Sequence, residues 1–198
     1  MVHRAQLLQE TFTLAIPTYV SSTYAEQLDD SETVISLTSG SNYEVGDYIV
    51  ATEASTEVMY IASKASNDLT VTRAQFGSTA NAHNDSGNAV TFALPLMQTQ
   101  AGDMVVAATV RITTGFNGVG PTLTVGDWED LDGFVASSDI TESAAGTYGG
   151  TGAYIASGSP GRLYTSAIPI IAHYTPSTSG GTVGGARVTI LFWRSGVN

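Results

Sequence analysis

The densest run of potentially reactive side chains is GDWEDLDGF, residues 126 to 134, where Asp127, Glu129, Asp130 and Asp132 lie close together. Hard cations such as calcium take several carboxylate and carbonyl oxygens at about 2.3 to 2.6 Å, so this is the first place to look for a metal. Aligning Asp130-Leu131-Asp132-Gly133 with the D-x-[DN]-x-[DN]-G calcium loop puts Trp128 at the first ligand position, where the side chain has no oxygen to offer. The same carboxylates could in principle act as an acid and nucleophile on a glycosidic bond, which requires two of them about 5 to 5.5 Å apart. Nothing in the sequence singles out two, so the segment is expected to be a solvated acidic loop, with no metal site.

A second cluster lies in LTVTRAQFGSTANAHNDSGNAVTF, residues 69 to 92, which carries Arg73 and His83 in a polar stretch between two strand-like ends. A catalytic triad needs a nucleophile beside a base and an orienting acid. Here His83, Asn84 and Asp85 are consecutive, and no G-x-S-x-G elbow presents a serine. Arg73 and His83 are therefore expected to fix a loop by hydrogen bonding, and no catalytic residue is assigned. The glycine run GTYGGTGAY, residues 146 to 154, matches neither G-x-x-x-x-G-K-[ST] nor a strand-linked G-x-G-x-x-G, so no nucleotide or other cofactor is expected. Tyr148, Tyr154 and Tyr164 are the aromatics that could stack on a sugar or a protein partner, or pack inward.

The balance of charge narrows the partners. Seven basic residues face eighteen acidic ones for a net charge of −11, and Lys64 is the single lysine. Nucleic-acid binding through phosphate neutralisation needs a basic stripe that these residues cannot build. There is no cysteine, hence no disulfide or thiolate metal site. No apolar run reaches the roughly 20 residues of a membrane span, and MVHRAQLLQET lacks the apolar centre of a secretory signal. With 42% hydrophobic and 13% charged residues the chain falls outside the composition of disordered segments, and a folded protein is expected.

The elements that must position these side chains read as all-β. RAQLLQET offers the only plausible helix, and residues 1–30 as a whole are expected to form an N-terminal arm. From Thr33 onward short apolar runs (VISL, DYIVA, EVMYIA, DLTVT, AVTFAL) alternate with turn residues, which predicts a small antiparallel β module, barrel or hairpin, over 31–94. Two Gly-Asp pairs, in VGDYIV and AGDMVV, read as a turn residue followed by a solvated acid. MVVAATVRITT, PTLTVGD, GRLYTSAIPIIAHY and ARVTILFW then predict an Ig-like or jelly-roll-like β-sandwich over 95–198. Val106, Ala108, Val110 and Ile112 are expected on one face of their strand. ARVTILFW is apolar on both faces, as for a strand covered by a partner.

Residues 33–90 resemble a module of tailed-bacteriophage structural proteins. Its pattern is an apolar strand, a Gly-acid turn into a second, a Glu-containing strand, and a run resembling L-T-V-T-R-G-x-x-G-T-x-A-x-x-H-x-x-G-x-x-V. The matching residues are Leu69, Thr70, Val71, Thr72, Arg73, Gly77, Ala80, His83, Gly87 and Val90, with Glu57 in the preceding strand. Ala74 stands where the pattern has Gly, and Ser78 where it has Thr. Residues 105–194 resemble a second kind of virion segment through TTGFNGVGPTLTVGD, GRLYTSA and GGARVTILFWR.

The resemblance implies a non-enzymatic virion protein made in the host cytoplasm. The short, acidic, lysine-poor chain without a fibre repeat favours a capsid decoration or cement protein, bound to the major capsid protein on the shell surface. A neck or tail component is the alternative within that class; a host-glycan binding module and a hydrolase are the alternatives outside it. Because an uncovered apolar edge strand invites open-ended pairing, a closed homo-oligomer is expected, with a trimer matching the local three-fold positions of a shell.

Overall fold

The computed structural model describes residues 5–14, 16, 21–53 and 55–194. Apolar residues at alternate positions, broken by Gly, Asn, Asp and Ser, give twelve strands among the described residues. They are β1 (Gln6–Leu14), β2 (Val34–Ser36), β3 (Tyr48–Ala51), β4 (Glu57–Ala65), β5 (Asp68–Gln75) and β6 (Thr91–Gln98), followed by β7 (Met104–Thr114), β8 (Thr122–Gly126), β9 (Gly146–Gly149), β10 (Arg162–Leu163), β11 (Pro169–Thr175) and β12 (Gly185–Arg194). Five of them form one antiparallel sheet in the order β1-β12-β7-β10, with β9 also pairing β7, and seven form another in the order β2-β5-β4-β3-β6-β11-β8. A single core lies between the sheets: Val110, Ile112, Val188 and Phe192 from the first meet Ile49, Ile61, Phe92 and Ile170 from the second, all buried. This is the all-β arrangement that the alternation predicts, two antiparallel sheets packed face to face.

Several finer expectations give way to packing. Arg4 of RAQLLQET lies outside the described residues, and the rest does not form a helix: from Gln6 the chain runs as β1, paired residue for residue with β12 from Gln6↔Arg194 to Leu14↔Ala186. Residues 1–30 are expected as an arm, yet Leu14, Tyr24 and Leu28 lie in the core, and the Tyr24 hydroxyl donates to the Val50 carbonyl at 2.9 Å. The polar positions of β1 that look helical in isolation face solvent on an edge strand. The division between 31–94 and 95–198 falls inside β6, which pairs both β3 and β11, so the longer sheet runs straight across it. ARVTILFW is not an edge either, since β1 covers one side of β12 and β7 the other. Val106 leaves the face expected for it. A bulge between Leu191 and Phe192 puts Val105 opposite Phe192, and Val105 is the one buried with Ala108, Val110 and Ile112.

The two Gly-Asp pairs make the same turn. Gly46 and Gly102 have φ of +105° and +92°, a region open to glycine at little cost. In each turn the aspartate closes a reciprocal pair with the residue three before it: Asp47 N–H donates to the Glu44 carbonyl and Glu44 N–H to Asp47 Oδ2, and the same pair links Asp103 and Gln100. The acid of the second turn is not solvated. Asp103 is buried and held bidentately by Arg194 at 2.9 and 2.6 Å, which ties the end of β12 to the start of β7. Burial alone would raise its pKa, but the Arg194 and Gln100 hydrogen bonds outweigh that and hold it below the usual carboxylate range.

Candidate functional site

Glu57 opens β4, and its side chain is fully buried. An isolated carboxylate there would cost several kcal/mol, so it persists only if every lone pair is used. Arg73 from β5 supplies a bidentate clasp, Nε to Oε1 at 2.7 Å and Nη2 to Oε2 at 2.6 Å. The backbone N–H groups of Ala74 and Asn81 donate at 3.1 and 3.2 Å, and His83 Nε2 lies 2.9 Å from Oε2. An ionised carboxylate only accepts, so the proton of that contact sits on His83 Nε2. Burial would raise the Glu57 pKa, but Arg73, then His83, Asn81 and Ala74, outweigh it and hold the carboxyl below the ordinary range.

The remaining guanidinium N–H groups reach the carbonyls of Asp29, Glu32 and Asn81 at 2.7 to 3.0 Å. Glu57, Arg73 and His83 thus converge on one point and fasten the segments around 29–32 and 73–83, the loop-fixing role expected for Arg73 and His83. Ser78 serves the same end, accepting from Val58 N–H and donating to the Gln75 carbonyl. His83 Nδ1 faces Asp85 Oδ2 at 3.6 Å, and neither atom has a hydrogen bond among the described residues. The sequence gives no hint of that second acid beyond its adjacency.

Ala74 sits at φ +56°, in the left-handed region that favours glycine, with its N–H bonded to Glu57. The backbone keeps the glycine geometry and alanine bears the strain. Ala74→Gly is expected to raise stability by about 0.5 to 1 kcal/mol, because relief of the Cβ clash exceeds the extra freedom of the unfolded chain. An unchanged or lower urea midpoint at constant m-value would contradict this.

The loop at 126–134 is not a solvated acidic loop throughout. Asp127 is fully buried. It accepts from Tyr154 Oη at 3.1 Å, Tyr164 Oη at 2.8 Å and the backbone N–H groups of Glu129 and Asp130, with Arg162 Nε 3.8 Å away. Arg162 also pairs with Glu129 and lies over the Tyr154 ring, 4.6 Å from its centroid. Burial, and then the Asp127 charge, push both tyrosine pKa values well above normal, so the hydroxyls stay protonated donors. Trp128 and Leu131 lie over Val50, Val58, Ala93 and Ile171 on the outer face of the seven-stranded sheet. The loop is a lid on that face, pinned by the buried aspartate.

Its acids do not gather for a metal: among the described residues no three His, Asp or Glu side chains form such a group. Nor do the tyrosines make a platform. Tyr164 is buried, Tyr154 bonds Asp127, and the Tyr148 hydroxyl donates to the carbonyls of Thr141 and Ala144. An open hollow of about 450 Å³ lies between Ser55, Thr79 and Asn81 on one side and Trp128 and Glu129 on the other. Asn81 Nδ2 there is already bonded to Ser55 Oγ and the Thr79 carbonyl, and Glu129 to Arg162. No local signal marks Asp127 as a hub, since its tyrosine partners lie 27 and 37 positions away. Comparison with known protein families, with curated proteins and with solved structures gives no match.

Proposed function

We propose that the chain is a non-enzymatic structural protein of the tailed-bacteriophage virion, acting as a decoration protein on the capsid shell. One observation carries the reading: of the residues shared with the phage module, Glu57 and Arg73 spend their bonding capacity on each other, on His83 Nε2 and on the backbone around them. A nucleophile or general base must face a substrate, whereas these groups point into the protein and stiffen a β scaffold. Asp127 is used in the same way. On the shell, many copies with modest interfaces would add buried area across neighbouring capsomers, since about 1,600 Å² already gives a stable specific contact.

Copy number in purified virions tests the proposal. Hundreds of copies are expected; a handful would assign the chain to the neck or tail, and none would end the virion reading. Turnover of peptidoglycan or glycans that disappears on substituting Asp130 or Asp132 would replace it with a hydrolase.

A further inference from the structure

The outer face of the five-stranded sheet is ordered in rows by the strand register. Side chains two apart along a strand share a face, so the pairings align Leu7, Trp193, Met104 and Leu163 in one row and Gln9, Leu191 and Ala107 in the next. Thr11, Thr189 and Thr109 follow, then Thr13, Arg187, Arg111 and Thr147. The apolar row is open to solvent: Leu7 is 48%, Trp193 38% and Leu163 58% exposed. In a chain with eighteen acidic residues these four rows contain no carboxylate and two of its seven basic residues. Enrichment in Trp, Met and Arg with depletion of Asp, Glu and Lys is the composition of a protein–protein interface rather than of general surface.

Arg111 and Arg187 are directly paired across β7 and β12, exposed, and without a carboxylate within ion-pair distance among the described residues. Like charges opposite each other on a sheet destabilise it unless something anionic lies over them. A complementary surface exists on the chain itself, at the edge of the other sheet. The turn 26–32 holds Glu26, Asp29, Asp30 and Glu32, and β2 beside it exposes Val34 to 47%. The Glu32 pKa is raised, by partial burial first and then by the charges of Glu26 and Asp29. The apolar-plus-basic face and the apolar-plus-acidic edge belong to opposite sheets of the sandwich, so one subunit cannot join its own.

We propose that the outer face of the five-stranded sheet docks a second copy of this chain, head to tail, with the partner copy's acidic 29–34 edge over Arg111 and Arg187 and the apolar rows buried beside them. A head-to-tail contact closes into a ring if the rotation permits. Four strands at about 4.8 Å spacing and four rows at about 7 Å make a face of roughly 20 by 25 Å. That is smaller than the about 800 Å² a partner contributes to a standard interface, so association in the micromolar range is expected. The inference deepens the structural reading above, but it is measured on the purified chain without a shell, so either can fail alone.

The test is sedimentation equilibrium of the full chain and of two charge-reversed variants, Arg111→Glu/Arg187→Glu and Asp30→Lys/Glu32→Lys. The second pair leaves Asp29 in place, whose carboxylate caps the turn through the Ser31 and Glu32 N–H groups. The wild-type chain is expected to self-associate below about 100 µM and to weaken with added salt, as charge-steered contacts do. Each variant alone should associate at least about tenfold more weakly, a shift of about 1.4 kcal/mol, when measured well below its own melting temperature. An equimolar mixture should recover association, because each reversed face then meets a reversed edge. A wild-type chain that stays monomeric, variants that associate like it, or a mixture that recovers nothing would each overturn the proposal and leave the face to a different protein.

Discussion

Replacing Glu57 by alanine is expected to cost 3 to 5 kcal/mol, a large fraction of the 5 to 15 kcal/mol that holds a domain of this kind together. The loss comes from what the carboxylate leaves behind. The Arg73 side chain is only 7% exposed, and without Glu57 its charge stays buried among the carbonyls of Asp29, Glu32 and Asn81, which carry no compensating charge. The N–H groups of Ala74 and Asn81 lose their acceptor too. Substituting both members of the pair, Glu57→Leu with Arg73→Met, should cost less than the two single changes added together, with a coupling of about 1 to 3 kcal/mol. Urea unfolding of the four proteins closes the cycle. Additive single effects, or a Glu57→Ala loss below about 1 kcal/mol, would mean that the network does not act as one unit. The contribution also has a pH signature. Glu57 titrates below its unfolded value, so its stabilisation is present above the ordinary carboxylate range and is lost as pH falls through it.

How far this was legible in the sequence depends on the range of the interaction. Alternation is local, so β4, β5 and β6 could be read directly, with Leu69, Val71, Val90 and Phe92 buried as their spacing requires. The Arg73 and His83 roles were legible because both lie in one loop-bearing stretch and their type, donors without a nucleophile, limits what they can do. β1 was not, because QLLQETFTL is amphipathic at neither period alone and becomes a strand only by pairing with residues more than 170 positions away. Asp127 and Asp103 look solvated from the sequence for the same reason. A carboxylate is buried only where distant donors meet it, here Tyr154 and Tyr164 in one case and Arg194 in the other. The covering of β12 by β1 removed the argument that an open edge forces oligomerisation. What remained was the outward half of the same strand, where Trp193 and Leu191 keep the apolar surface that its two-sided pattern had indicated.

Acid should destabilise the protein well above the carboxylate range, through His173. This residue lies on β11 in the interior of the seven-stranded sheet, opposite Ala93 on one side and Thr124 on the other, with Nε2 2.8 Å from Thr91 Oγ1. Its partial burial, with no carboxylate beside it among the described residues, disfavours the imidazolium and pushes the pKa down to about 4. The unfolded chain, titrating near 6.5, therefore binds the proton more readily than the folded one, and stability falls as pH drops from about 6.5 until the loss is complete near 4. Because His173 is only partly buried, these shifts set upper bounds: at most about 2 kcal/mol of loss from this group at pH 5 and at most about 3 kcal/mol at pH 4. His173→Gln can keep a hydrogen bond to Thr91 without a titrating group, so it should cost at most about 1 kcal/mol at pH 7 and remove most of the slope between pH 7 and 5. The Glu57 and Asp103 contributions disappear only at lower pH, which keeps the two effects apart on the axis. Denaturation of wild type and variant at half-unit steps from pH 7 to 4 gives both curves, and parallel curves between pH 7 and 5 would show that His173 is protonated in the folded protein as easily as in the unfolded one.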